Sequence, residues 1–153
     1  MDATLSSTPS YHTFKNSLIK FIRLKGNSFY SIRDNDGIQL LTKIRVTFSD
    51  LRDHRFNHNF NCTSPVCLCG LDDETSVHFL LCCPRYGDLR NEYLGKICTI
   101  IGSDVTILPY DHLCDILMYG SNVYNDNVNE KIIKETIYYI KQSGRFKKLE
   151  AFV

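Results

Sequence analysis

Apolar residues recur at intervals of three and four along most of this chain, which is the spacing of amphipathic helices. The pattern predicts a chain that is mostly α. The predicted helices cover approximately residues 11–24, 38–48, 51–56, 74–83, 86–101, 111–118 and 127–142.

Residues with capping or turn chemistry separate these helices. Ser49 or Asp50 is expected to cap the third helix, Pro84 to end the fourth, and Gly144 to follow the last. The organisation predicted from these boundaries is a disordered tail over residues 1–10, a helical basic segment over 11–60, a metal-binding knuckle over 61–86 and a C-terminal helical segment over 87–153.

Four side chains of the metal-binding type fall within seventeen residues, namely Cys67, Cys69, His78 and Cys83. Two thiolates one residue apart can hold Zn²⁺ from a tight turn, which Gly70 would help to form, and the later pair can complete a tetrahedron from a short helix. Three sulfurs and one nitrogen leave no open position, so the pattern predicts a structural zinc site. We expect a small helical domain organised around this zinc-knuckle-like Cys₃His site, with zinc contributing on the order of 10 kcal/mol to folding.

The last ligand has an alternative in the neighbouring thiol. Cys82 follows His78 by four residues and shares its face in an α-helix, whereas Cys83 follows it by five. We favour Cys83, because the turn before Pro84 can unwind to direct it. Buried apolar thiols without a metal are the other interpretation of the cluster. The remaining cysteines are expected to be a loop thiol or packing groups: Cys62, Cys98 and Cys114.

Composition adds a cellular setting. The 153 residues contain seven cysteines, and five of them lie within residues 62–83, which favours metal binding in a reducing compartment over disulfide bonds. The chain does not begin with a signal-peptide pattern, and no apolar run approaches the roughly 20 residues of a membrane span. We therefore expect an intracellular protein, in the nucleus or the cytoplasm.

The formal net charge is +1, but residues 1–60 carry +4 and residues 61–153 carry −3. A basic front half is compatible with phosphate contacts. Three aromatic residues near the cysteines could stack on unpaired bases or pack in the core: Phe56, Phe60 and Tyr86. The candidate nucleic-acid-binding residues just ahead of the knuckle are Lys43, Arg45, Arg52, His54, Arg55 and His58.

These motifs together resemble the C-terminal tail of reverse transcriptases from non-LTR retrotransposons. The most specific part is His78-Phe79-Leu80-Leu81-x-Cys83-Pro84-x-Tyr86 inside the Cys-Cys-His-Cys frame. The other parts that carry the resemblance are residues 41–45, 51–60, 67–69, 74–75, 116–121 and 137–146.

The resemblance implies a function. In that family the tail follows the polymerase thumb, and its zinc-binding segment helps hold template RNA or target DNA. The matching ligands here are the three cysteines and the histidine of the knuckle. The paired aspartates of the polymerase are absent, because Asp72-Asp73 lies in a turn after Gly70-Leu71. We therefore expect a non-enzymatic module that binds RNA or DNA with little sequence preference and has no small-molecule substrate. The alternative is a zinc-organised scaffold that docks on a partner protein, such as the polymerase body.

Overall fold

The computed structural model describes residues 32–59 and 61–147, and in these ranges the chain is mostly helical, as predicted. An isolated antiparallel bridge joins Val66 to Asp73. A π-helical turn spans His78–Cys82, and 3₁₀ turns span Pro84–Tyr86 and Val105–Ile107. The α-helices of the described ranges are α1 (Asn35–Arg45), α2 (Arg52–Asn57), α3 (Gly87–Ile101), α4 (Tyr110–Tyr119) and α5 (Asp126–Gln142).

Three sequence predictions lie outside the described residues. These are the tail over residues 1–10, the helix over residues 11–24 and the stacking role of Phe60.

Helix α5 is the central element, and α1, α3 and α4 all pack against it. Its start is capped by Asn125, whose side chain accepts a hydrogen bond from the amide of Val128 at 2.9 Å. The apolar residues of its buried face recur at the predicted helical spacing. Removal of these side chains from water stabilises the bundle. The apolar residues buried on α5 are Ile132, Ile133, Ile137, Tyr139 and Ile140.

Helix α1 lies close against α5 because of a glycine. A Cβ atom on Gly37 would come within 2.3 Å of Ile137 Cγ2, so a larger residue would push the two helices apart. Asp34 caps α1 by accepting from the Gly37 amide at 2.9 Å, and it also accepts from Lys141 Nζ of α5 at 2.7 Å. The hydrogen bonds from Lys141 and from the Gly37 amide lower the pKa of Asp34.

The predicted bounds of α1 were three residues late at both ends. The helix ends at Arg45, and Thr47 then takes a left-handed backbone with φ of 63°. Phe48, the last residue of the predicted helix, is 48% exposed, and its ring stacks on that of His58 with 4.0 Å between the ring centroids. The chain reversal after Arg45 turns Phe48 away from the apolar face that it would have shared in a longer helix.

The predicted cap of α2 was wrong. Leu51 is the N-cap residue and makes no side-chain capping bond, whereas Ser49 Oγ accepts from the Leu51 amide at 3.2 Å. The first amide of the helix, that of Arg52, donates instead to Glu74 Oε1 at 2.8 Å. A carboxylate from a distant segment therefore does the work of a local cap, and no local pattern could have indicated it.

No helix within residues 32–59 and 61–147 combines the length and the apolar character that crossing a membrane requires.

Replacing Tyr139 by Phe tests how much the buried polar contacts of α5 contribute. Tyr139 is fully buried, and its hydroxyl donates to the carbonyl of Phe79 at 2.6 Å. Phe lacks the hydroxyl, so the buried carbonyl of Phe79 would lose this hydrogen-bond donor. We expect the free energy of unfolding to fall by about 1 to 3 kcal/mol, as measured by urea titration followed by circular dichroism. The matched control is Tyr138→Phe on the same helix, where the side chain is 46% exposed and we expect little change. Equal effects of the two substitutions would contradict the assignment.

Candidate metal centre

The four predicted ligands come together in the structure. One ligand atom each from Cys67, Cys69, His78 and Cys83 lies within 4.8 Å of all the others. The sulfurs of Cys67 and Cys83 are 3.8 Å apart, and Cys69 Sγ is 3.3 Å from His78 Nε2. In a tetrahedral site, metal–sulfur bonds of about 2.3 Å and metal–nitrogen bonds of about 2.0 Å place two sulfurs about 3.8 Å apart, and a sulfur and a nitrogen about 3.5 Å apart. The arrangement could therefore hold a metal ion.

The first two ligands come from a tight loop closed by backbone hydrogen bonds. The amide of Cys67 donates to the carbonyl of Asp72 at 2.8 Å, and the amide of Gly70 donates back to the carbonyl of Cys67 at 2.9 Å. Gly70 has a φ of 80°, a left-handed conformation that is costly for other residues. The predicted contribution of Gly70 to this turn is confirmed.

Protonation of the thiols differs across the centre. The backbone amide of Leu71 donates to the sulfur of Cys69 and lowers the pKa of that thiol. Burial raises the pKa of the Cys83 thiol to about 11. A divalent cation between these groups would stabilise every thiolate at once, so binding of such an ion would release the remaining thiol protons.

The π-helical turn places the last two ligands. The amide of Cys83 donates to the carbonyl of His78, five residues earlier, at 2.7 Å. In an α-helix, residue i+5 lies about 140° around the axis from residue i, whereas a turn closed by an i+5 hydrogen bond brings the two residues to the same side. The sulfur of Cys83 therefore joins His78 in the cluster, while Cys82 is exposed and lies outside it. The choice of Cys83 over Cys82 agrees with this geometry.

Two helices hold the π-helical turn through its carbonyl groups. Arg90 of α3 donates to the carbonyls of Leu80 at 3.2 Å and Cys83 at 2.6 Å, and Tyr139 of α5 donates to that of Phe79. Arg90 is only 7% exposed. Arg90 was not predicted from the sequence. A signal was nevertheless present, since this arginine occupies a position on the apolar helix face formed by Tyr86, Tyr93 and Ile97.

A buried ion pair connects the metal-binding loop to the end of α5. Glu74 is 1% exposed, and its carboxylate accepts from Arg145 Nε at 2.9 Å and from Arg145 Nη2 at 2.6 Å. Burial on its own raises the pKa of Glu74, but the bonds from Arg145 and from the Arg52 amide lower it overall. Arg145 also donates to the carbonyl of Asp50 at 2.8 Å. Through these bonds Glu74 and Arg145 link three segments of the chain: the segment before α2, the metal-binding loop and the segment after α5.

Two of the predicted nucleic-acid-binding residues are interior groups instead. Arg45 is 5% exposed, donates to the carbonyl of Met118 at 2.6 Å, and has a pKa lowered by burial to about 10. His54 is 3% exposed and hydrogen-bonds Ser49 Oγ at 2.7 Å, and burial lowers its pKa to about 4. Both side chains are buried and hydrogen-bonded within the protein rather than displayed on its surface. The sequence could not reveal this, because their partners come from other segments or depend on the folded loop.

The other predicted contacts separate into two groups. Lys43 is exposed on α1, and His58 is partly buried against Phe48. Arg52 and Arg55 line one open groove of about 450 Å³. The segment after α5 adds residues to that groove that were not among the predicted nucleic-acid contacts. The lining residues from this segment are Arg145, Phe146 and Lys147.

The aromatic and remaining cysteine side chains are also placed. Tyr86 is 8% exposed and packs edge-on against Phe79 at 5.4 Å, so it is a core residue, whereas Phe56 is 41% exposed. Cys62 donates to the carbonyl of Ser64 at 3.1 Å in a loop. Cys114 is buried and Cys98 packs against the edge of the core, in agreement with the prediction for both.

Comparison with known proteins gives no relative: no family model, no curated protein and no solved structure matches this chain.

Replacing Glu74 by Gln tests the ion pair. Gln keeps the size of the side chain but removes the charge that balances Arg145. We expect the free energy of unfolding to fall by about 3 kcal/mol, the low end for a broken buried pair, because the Arg145 side chain is 20% exposed. The control is Glu92→Gln on α3, where an exposed pair with Lys96 at 3.3 Å is lost at a cost within about 0.5 kcal/mol. Chemical denaturation of the metal-loaded protein measures both. If Glu74→Gln lowers the free energy of unfolding no more than the control does, the ion pair does not contribute measurably to stability.

Proposed function

We propose that this chain is a non-catalytic nucleic-acid-binding accessory module with one structural zinc ion. The observation that carries the proposal is the meeting of three sulfurs and one imidazole nitrogen at tetrahedral distances. Thiolate and imidazole ligands in a tetrahedron favour Zn²⁺ over the harder cations Mg²⁺ and Ca²⁺. Because all four positions are taken by protein atoms, the ion serves the fold and leaves no place for a reacting water.

Measuring zinc per chain in two neighbouring serine variants tests the first half of the proposal. We expect about one equivalent in the parent and in Cys82→Ser, and less than about a tenth of an equivalent in Cys83→Ser at matched free zinc, because only the Cys83 sulfur lies in the cluster. Removal of zinc by a chelator should unfold the parent, as seen by circular dichroism. Loss of zinc from Cys82→Ser alone would reverse the ligand assignment, and no zinc in any of the three proteins would sink it.

The groove beside the metal-binding loop is the proposed contact for nucleic acid. Among the described residues, Arg52, Arg55, Arg145 and Lys147 line it together with Asp50, which pairs with Arg55 at 3.5 Å. Guanidinium groups suit phosphate oxygens because they can donate two parallel hydrogen bonds. Arg52 also donates to the carbonyl of Val66 at 2.6 Å, so the groove is tied directly to the residue before the first ligand. Zinc would therefore order the phosphate-binding surface without contacting the nucleic acid.

The resemblance to the C-terminal tail of non-LTR reverse transcriptases supports the same proposal. In that family the zinc-binding segment helps hold template RNA or target DNA, and the four ligand positions of this chain match its motif. The proposed partners are consequently RNA or DNA, bound through the phosphate backbone, and the body of a reverse transcriptase. Contacts of this kind are tolerant of sequence and weaken with salt.

Neutralising two groove residues tests nucleic-acid binding. We expect the Arg55→Gln/Lys147→Gln double variant to bind labelled single-stranded RNA and DNA more weakly and with a salt slope reduced by about 1.4, since each phosphate contact adds about 0.7 to the slope for single strands. The matched control is Lys96→Gln/Lys134→Gln, which removes the same charge from exposed positions on α3 and α5. Fluorescence anisotropy over a range of salt concentrations measures both. The same salt slope for both double variants would contradict the proposed groove.

A protein-docking scaffold is the second candidate, and the metal-binding loop supplies its specific support. Leu68 and Leu71 are each 73% exposed on this loop, and Val66 is 41% exposed. Apolar side chains displayed together on a rigid loop are typical of a docking surface. If the parent and both double variants bind RNA and DNA negligibly, this function takes precedence over nucleic-acid binding.

A further inference from the structure

A second surface of the described chain combines negative charge with apolar side chains. It is a cleft of about 750 Å³ bordered by the end of α1, by α2, by the segment before the π-helical turn and by α4. None of the described residues that line it also lines the basic groove. The acids that line it are Asp53, Asp73, Asp111 and Asp115.

The cleft also offers apolar contact area. Val77 and Phe56 line it together with Met118, and the exposed fraction of Phe56 is 41%. Among the described residues that line the cleft, the one lysine or arginine is Arg45, which is buried and donates to the carbonyl of Met118. Burial, with the neighbouring carboxylate of Asp73 adding to it, raises the pKa of Asp53, as expected where carboxylates crowd together. A ligand with apolar groups and positive charge would complement this surface.

The sequence of the same chain contains a segment with that chemistry. Residues 3–33 contain no aspartate or glutamate, although the chain as a whole has 17 acids. The apolar residues of the segment recur at helical spacing: Phe14, Leu18, Ile19, Phe21 and Ile22. The basic residues interspersed with them are Lys15, Lys20, Arg23 and Lys25.

The distance along the chain permits an intramolecular contact. Ile44 and Arg45 line the cleft at the end of α1, and the eleven residues of this helix separate them from its start by about 16 Å. The seven steps of chain from Lys25 to Ile32 can span about 24 Å. We propose that the acidic cleft between α1, α2 and α4 receives residues 11–25 of the same chain, with the apolar side chains of the segment against the cleft and its lysines beside the four aspartates.

Zero-length cross-linking of the full 153-residue chain tests the proposed contact. A carbodiimide joins a lysine amine to a carboxylate only where the two touch, and mass spectrometry then identifies the linked peptides. We expect links from Lys15, Lys20 or Lys25 to the aspartates of the cleft. An equal mixture of ¹⁴N- and ¹⁵N-labelled chains distinguishes links within one chain from links between two. Links only to acids outside the cleft, only between chains, or no links from these lysines would each overturn the proposal.

A pair of matched variants supplies a readout that does not depend on the cross-linking chemistry. Asp111→Asn/Asp115→Asn removes two charges from the cleft, one in the first turn of α4 and one four residues later. Asp88→Asn/Glu92→Gln removes two charges at the equivalent positions of α3, away from the cleft. In full-length protein we expect trypsin to cut after Lys15, Lys20, Arg23 or Lys25 at least about threefold faster in the first variant only, because lost ion pairs leave the segment less protected.

Retained zinc and an unchanged circular dichroism spectrum verify that each variant is folded. If the double variant in the cleft does not fold, Asp111→Asn alone serves, since Asp111 is exposed. Equal cleavage rates in the folded cleft variant and the control would overturn the proposal.

Discussion

One backbone hydrogen bond determines whether the ligands of this chain can meet. The amide of Cys83 reaches back five residues to the carbonyl of His78, and this single widened turn directs an imidazole and a thiol to the same side. An α-helical turn would present Cys82 instead and would leave Cys83 pointing about 140° away from His78. The close arrangement of the four candidate ligands therefore depends on this local departure from α-helical geometry.

The π-helical turn is itself maintained by the packing of distant helices. A widened turn leaves carbonyl groups without the partners that a regular helix provides, and a buried carbonyl without a donor is costly. Arg90 and Tyr139 supply the donors from α3 and α5. In addition, the ion pair formed by Glu74 and Arg145 links the metal-binding loop to the segment after α5. The candidate metal centre and the helical bundle are thus held by the same contacts, so disruption of either is expected to loosen both.

The division of charge over the surface follows from the same packing. Arg45 and His54, which the sequence suggested as phosphate contacts, are buried and form hydrogen bonds with neighbouring groups of the protein. Residues from the chain end, Arg145 and Lys147, join Arg52 and Arg55 at one groove, while four aspartates gather at a separate cleft. The described part of a chain with a net charge of only +1 therefore presents a basic surface and a separate acidic surface, each suited to a different kind of partner.

The sequence by itself determined the helical class, the approximate extent of α3, α4 and α5, and the four residues that cluster as candidate metal ligands, because apolar spacing and ligand spacing are both local properties of a chain. Only the tertiary structure decided what lies around them. The cap of α2 by Glu74, the burial of Arg45 and His54, and the grip of Arg90 on the π-helical turn join residues that are far apart in the chain or that meet only in the folded loop. Such contacts exist because buried polar groups need partners wherever the fold brings them, and a periodic pattern carries no information about which segment will supply the partner.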